Sequence, residues 1–204
     1  NIVFGVNHEK FDIKKEKIFS AASCTTNGII PVLKVIEDAL TIKNGHLETI
    51  HSYTNDQNLL DNYHKKYRRG RSAPLNMVIT ETGASGAVGK VLPSLKGKLT
   101  ANSVRVPTPN VSLAILHLEV SKKTTKEEVN ELMRKAALYS DLVEQIQYSY
   151  SNELVSTDVI GNPFPSVYDS QATIVAEDGT HIVLYVWYDN EYGYACRLVE
   201  LARY

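Results

Sequence analysis

Cysteine is nearly absent from this chain: Cys24 and Cys196 are the only two in 204 residues. Two distant thiols make neither a disulfide framework nor a four-ligand zinc cluster. Free thiols persist in a reducing compartment, so a cytoplasmic location is expected. A dominant charge is missing too. The 22 Lys and Arg against 23 Asp and Glu leave a net charge of −1, which provides no global pull toward nucleic acid or an anionic membrane. No apolar run nears the roughly 18 residues that cross a bilayer. The glycine-rich dinucleotide signature is absent as well: Gly83, Gly86 and Gly89 have the wrong spacing for G-x-G-x-x-G and no Val/Ile-rich strand before them. Residues 1–7 carry neither an initiator methionine nor a basic leader. They read as a strand entered partway through a fold, so the chain is expected to be a fragment.

What is present centres on Cys24, in Ser23-Cys24-Thr25-Thr26-Asn27. Ile29, Leu33, Ile36 and Leu40 follow at helical spacing, with Pro31 tolerable only in a first turn. Thr25, Thr26 and Asn27 are good cap residues, which places the thiol at or just before a helix N-terminus. The aligned peptide dipoles there favour an anion, and the thiolate is the nucleophile. A buried core cysteine is the alternative, although three polar residues in succession argue against a dry site. His51 lies on a strand pattern over residues 46–53, after an Asn44-Gly45 turn signal. It suits proton transfer near neutral pH, or a structural role.

Further along, residues 54–76 are polar and basic, a long irregular segment of the functional-loop kind. A short helical stretch ends near Leu95, and an extended run carries Val104 and Val106. An apolar strand runs from Val111 to Val120. Thr125-Lys126-Glu127-Glu128 forms a capping box that opens an amphipathic helix. Residues 154–160 are a strand candidate, and Asp178-Gly179 joins residues 172–176 to 181–188 as a hairpin. A terminal helix begins near Asn190. Long strands in hairpins with few helices indicate an α+β fold, a large, mostly antiparallel mixed sheet with helices on one face.

Five motifs in this order resemble the glyceraldehyde-3-phosphate dehydrogenase family, in its C-terminal catalytic half. They are Ala22-Ser23-Cys24-Thr25-Thr26-Asn27, His51 at the family's spacing, Thr82-Gly83-Ala84, Arg105-Val106-Pro107-Thr108-Pro109-Asn110-Val111-Ser112, and Trp187-Tyr188-Asp189-Asn190-Glu191-Tyr192-Gly193-Tyr194. The resemblance implies a catalytic domain over residues 1–204, with residues 1–22 the edge of a nucleotide-binding domain and residues 193–204 a helix returning to it. It implies NAD or NADP as cofactor, held mostly by that other domain, and no turnover by this chain alone.

By the same resemblance, Cys24 attacks an aldehyde phosphate, His51 moves the proton as hydride leaves, and inorganic phosphate opens the thioester to an acyl phosphate. The Cys24 N–H would stabilise the oxyanion. Ser23, Thr82, Gly83 and a loop arginine, Arg71, are implied around the attacking phosphate, with Thr25 beside the cysteine. Thr54 and Arg105 are implied around the substrate phosphate. Helix capping competes as a role for Ser23 and Thr82, and an exposed strand position competes for Arg105. Asn190 is implied to hold the nicotinamide carboxamide with Tyr194 nearby, or else to cap the last helix. Asp56 is ill-suited to a dianion, because an ionised carboxylate cannot donate; it either pairs with an arginine of the basic loop or marks a relocated phosphate. Erythrose-4-phosphate dehydrogenases share the Arg-Arg-x-Arg pattern of that loop, and remain the enzyme alternative. A binding or assembly module using the loop is the non-enzyme alternative. A homotetramer is implied, with no nucleic-acid or membrane partner and no metal.

Overall fold

The computed structural model describes residues 1–12 and 14–204. Its centre is an eight-stranded mixed sheet. In chain order the strands are β1 (Ile42–Ser52), β2 (Val78–Thr80), β3 (Leu99–Val106), β4 (Ser112–Val120), β5 (Ile146–Ser149), β6 (Ser166–Asp169), β7 (Ile174–Val175) and β8 (His181–Tyr188). Across the sheet they run β2-β3-β1-β4-β8-β6-β5, with β7 also on β8. Among the described residues only β1–β3 and β5–β6 are parallel pairs. The helices are α1 (Cys24–Leu40), α2 (Ala84–Val91), α3 (Lys126–Tyr139) and α4 (Tyr192–Arg203). The α+β expectation holds.

Strand alternation sorts the sheet into two faces. Leu47, Ala114, Leu116, Leu118, Ile182, Leu184 and Val186 are buried and join Ile29, Leu33, Ile36, Val129 and Met133 of the helices in one core. The alternate residues Ile115, Val183 and Tyr185 are only half-buried.

The proline of α1 departs from its first-turn expectation. Pro31 is the eighth residue of the helix and buried, where its missing N–H leaves the carbonyl four residues back without a helical donor. The hydroxyl of Ser166 on β6 fills that gap, donating toward Asn27 O at 3.3 Å and Gly28 O at 2.6 Å. The helix therefore runs on through the proline, tied to the sheet where its N-terminal turn must be held.

Three other readings are corrected. Residues 1–7 form no strand: residues 4–7 make a turn, closed by the Asn7 Oδ1 acceptor to the Val3 N–H at 2.8 Å. Asn44 and Gly45 lie within β1, not in a turn; an added Cβ at Gly45 would stand 2.5 Å from His117 O on β4, so the glycine permits close strand approach. Residues 156–159 make a 3₁₀ turn rather than a strand. The capping box of α3 forms as read, with Thr125 and Glu128 each accepting from the other's backbone.

Candidate active site

Cys24 is the first residue of α1, and Ser23 is its N-cap, accepting from the Thr26 N–H at 3.1 Å. The turn before it is strained: Ala22 has φ 59°, a left-handed conformation uncommon for a residue with a Cβ. Its carbonyl lies 3.3 Å from the Tyr194 hydroxyl of α4. The strain aims Cys24 across the end of the sheet, where β1 ends in His51 and Ser52. Cys24 Sγ stands 3.7 Å from His51 Nε2.

Arg105 sits beside His51 because β1 and β3 are parallel with these two residues in register. Its Nη1 is 3.0 Å from Ser52 O, 3.2 Å from Thr54 Oγ1 and 3.0 Å from His51 Nδ1. His51 Nδ1 is also 2.8 Å from Ser52 O. Nη1 has two hydrogens and cannot accept, and a carbonyl cannot donate. The network closes when Nη1 donates to Ser52 O and Thr54 Oγ1 while Nδ1–H donates to Ser52 O. Assigned this way, the proton-free Nε2 faces the thiol.

The electrostatics reverse one expectation. Burial pushes the Cys24 thiol above its ordinary value, outweighing the Thr25 N–H, the Thr25 hydroxyl and Arg105, which all pull it down. Burial, seconded by Arg105, pulls His51 down to about 4 against the Ser52 carbonyl. Desolvation disfavours whichever form is charged, so the thiol and the imidazole face each other neutral. The helix terminus acts in the direction anticipated but is the weaker influence.

These groups open on a cleft of about 370 Å³, walled also by Thr82, Gly83 and Ser103. Gly83 is the N-cap of α2, and Thr82 Oγ1 accepts from the Ala84 N–H at 3.3 Å. Thr25 reaches the Tyr188 hydroxyl at 2.9 Å; Tyr188 is buried, and burial raises its phenol. Ser23, Cys24, Thr25, His51, Thr82, Gly83 and Arg105 are thus brought to one cleft, with Thr54 joined through Arg105.

Arg71 is not brought there. Its side chain is 64% exposed and pairs with Asp61 at 3.2 Å. Arg69 is the loop arginine that turns inward. It is buried, and donates from Nε to Thr80 Oγ1 at 2.8 Å and from Nη2 to Glu81 O at 3.2 Å. Its remaining nitrogen pairs with Asp56, so of the two readings of Asp56 the structure has the one in which it turns to a loop arginine. The loop's own backbone bonds, Asn58 N–H to Arg69 O and Asn62 N–H to Gly70 O, set this register. Counting along an irregular loop could not reveal which of three arginines points in.

Asn190 is buried on the sheet side of His51, where its Oδ1 accepts from the hydroxyls of Ser52 at 2.8 Å and Ser112 at 2.9 Å. It does not cap α4; the Asp189 carboxylate does, accepting from the N–H groups of Glu191 and Tyr192, both at 2.9 Å. Val111, just before Ser112, has φ 71°, a strained value for a β-branched residue. Ser103 and Tyr188 escaped the sequence reading. Strand alternation was the available signal, since Ser103 shares the face of Arg105, and Tyr188 that of Val186.

Comparison with known proteins places this arrangement. The family model described as "Glyceraldehyde 3-phosphate dehydrogenase, C-terminal domain" matches residues 23–190. A "Glyceraldehyde-3-phosphate dehydrogenase-like protein" of Pseudomonas aeruginosa (strain UCBPP-PA14) is 59% identical over 201 residues, covering 98% of this chain and 43% of that protein. "Glyceraldehyde-3-phosphate dehydrogenase 1" of Bacillus subtilis (strain 168) is 49% identical over 203 residues, 100% of this chain and 60% of its own length. "Glyceraldehyde-3-phosphate dehydrogenase" of Geobacillus stearothermophilus is 47% identical with the same coverage. The chain spans about half the length of the curated relatives it matches.

Proposed function

The chain belongs to the glyceraldehyde-3-phosphate dehydrogenase family, through its C-terminal domain, and from that premise we propose that it carries the acyl-transfer centre of a phosphorylating aldehyde dehydrogenase. The observation that supports this most is the facing pair, Cys24 Sγ 3.7 Å from a proton-free His51 Nε2, with Arg105 locked beside it. The thiol begins neutral, so His51 takes its proton as the carbon–sulfur bond forms, in the manner of a base-activated nucleophile. His51 returns that proton to the alkoxide, which gives the hemithioacetal, and the same nitrogen takes it back from the hydroxyl as hydride leaves. The N–H groups at the start of α1 face the developing oxyanion.

A nicotinamide accepts the hydride when bound; Asn190 and Tyr194 are the residues of this chain proposed to meet it, with the rest of the dinucleotide held by a separate domain. Their placement fits that role in part. Tyr194 stands at the rim through Ala22. Asn190 Oδ1 is already engaged by two serines, and its NH₂ group donates one hydrogen to Glu191 Oε1 at 3.4 Å, which leaves the other to donate.

Inorganic phosphate is proposed at Thr82, Gly83 and Ser23, and the substrate's phosphate at Thr54 and Arg105, with Arg69 replacing Arg71 as the nearby guanidinium. Beside these sites the half-buried Arg105 guanidinium is pulled down by burial first and by Arg69 second, and the two positive charges favour anions. Self-association through the basic loop accords with Leu60, Tyr63 and Tyr67, all more than three-quarters exposed. Among the described residues no helix is long and apolar enough to cross a membrane.

Cys24→Ser in the whole protein tests the centre. Aldehyde-phosphate-dependent reduction of the nicotinamide should vanish while the melting temperature stays within a degree or two. Retained turnover would overturn the assignment. Parallel kinetics on glyceraldehyde 3-phosphate and erythrose 4-phosphate choose the substrate.

A further inference from the structure

Ser103 of β3 lies opposite Thr49 of β1 on one side and Thr80 of β2 on the other. Alternation puts all three on the face of His51 and Arg105, two residues farther in. Thr80 already accepts from Arg69. Ser103 does nothing of the kind: it is 3% exposed, lines the cleft, and its Oγ has no hydrogen-bond partner. The Nε–H of Arg105, two residues away on the same face, is buried and unpartnered as well.

Buried donors are costly to leave unmade, so these two imply a partner that comes from outside the chain. Its chemistry follows from the surroundings. Nε–H can only donate, and a hydroxyl donates readily. The guanidinium groups of Arg105, on the same strand face, and of Arg69, bonded to Thr80, oppose a cation. Asp56 is committed to Arg69, and the Glu81 side chain is 91% exposed at the rim, toward Lys66. Across the cleft stands the N-terminus of α2 with Thr82 and Gly83. All of these groups suit oxygens that carry negative charge.

We propose that Ser103 is an anion-contacting residue, its hydroxyl and Arg105 Nε together receiving oxygens of a tetrahedral oxyanion seated against Thr82 and Gly83. This rests on the acyl-transfer reading above and adds a donor to it. A phosphate so held is gripped from the sheet below as well as from the helix terminus, and its remaining oxygens point up toward Cys24. Ser103 therefore governs how tightly the attacking oxyanion is held, not how fast the carbon–sulfur bond forms.

The test uses inorganic phosphate and the whole protein. Its affinity is read from protection of Cys24 against iodoacetamide and from the rise in melting temperature. Ser103→Ala should weaken phosphate about tenfold, the loss typical of one hydrogen bond to a charged group. Its melting temperature without phosphate should be unchanged or higher, because the variant removes an unsatisfied hydroxyl. Under turnover, the KM for phosphate should rise while kcat holds. Phosphate affinity within twofold of the parent would overturn the proposal and leave a recess that holds water only. Failure of the parent protein itself to bind phosphate would instead sink the oxyanion reading of the whole cleft.

Discussion

Acidification should destabilise this domain through His51, and by an amount the structure supplies. Burial first and Arg105 second pull the imidazole down to about 4 in the folded state, whereas an unfolded chain leaves it near 6.5. Between those values the unfolded state binds a proton that the folded state refuses. The associated stability is complete above about pH 6.5 and is lost as the pH falls toward 4. Each pH unit in that window is worth about 1.4 kcal/mol, so the descent from 6.5 to 5 should cost roughly 2 kcal/mol. Urea unfolding at pH 7.5, 6 and 5, on the parent and on His51→Asn, isolates the effect from the other five histidines. The variant's profile should be flatter by that 2 kcal/mol. Parallel profiles, or an imidazole that titrates near 6.5 by NMR, would refute the reasoning. Arg105→Met should then raise the midpoint only partway, since burial remains the larger cause.

Three further outcomes are expected. Cys24 alkylation in this chain should show an apparent midpoint above that of an ordinary cysteine, and a midpoint at or below about 8.5 would mean the helix terminus outweighs burial after all. Asp56→Ala should cost about 1–2 kcal/mol in urea unfolding, because it strips the carboxylate from the buried Arg69, discounted for the half-exposed position of Asp56; no change would show that Thr80 and Glu81 alone anchor the guanidinium. Asn190→Ala should cost about 1–3 kcal/mol, since it leaves the Ser52 and Ser112 hydroxyls without their shared acceptor, and a smaller loss would mean that both serines find new partners.

Local chemistry was legible in the linear sequence wherever a few neighbouring residues decide the outcome. The helix start at Cys24, the α3 capping box and the apolar spacing of α1 are contests within one or two turns, and each came out as read, although the cap fell to Ser23 and not to Thr25, Thr26 or Asn27. The reading erred where a distant partner intervenes. Pro31 sits deep in α1 because a serine from β6 reaches the carbonyl it frees and the one beside it. Asn44-Gly45 is a turn signal by composition, yet β4 draws it into a strand. Residues 1–7 have strand composition, yet no strand pairs with them among the described residues; the Asn7 side chain closes their turn and the Ile2 N–H donates to Ser20 O.

A thiol at a helix start, an imidazole on a following strand and an arginine on another can all be placed from the order of residues. Those are matters of periodicity and capping. Packing at long range sets the rest: His51 and Arg105 share a register, Nε2 rather than Nδ1 faces the sulfur, and Arg69 rather than Arg71 turns inward. It also reversed the direction of the cysteine's shift. A helix dipole can be read from a few residues, but desolvation is the sum of everything packed around a group, and that sum exists only once the chain has folded.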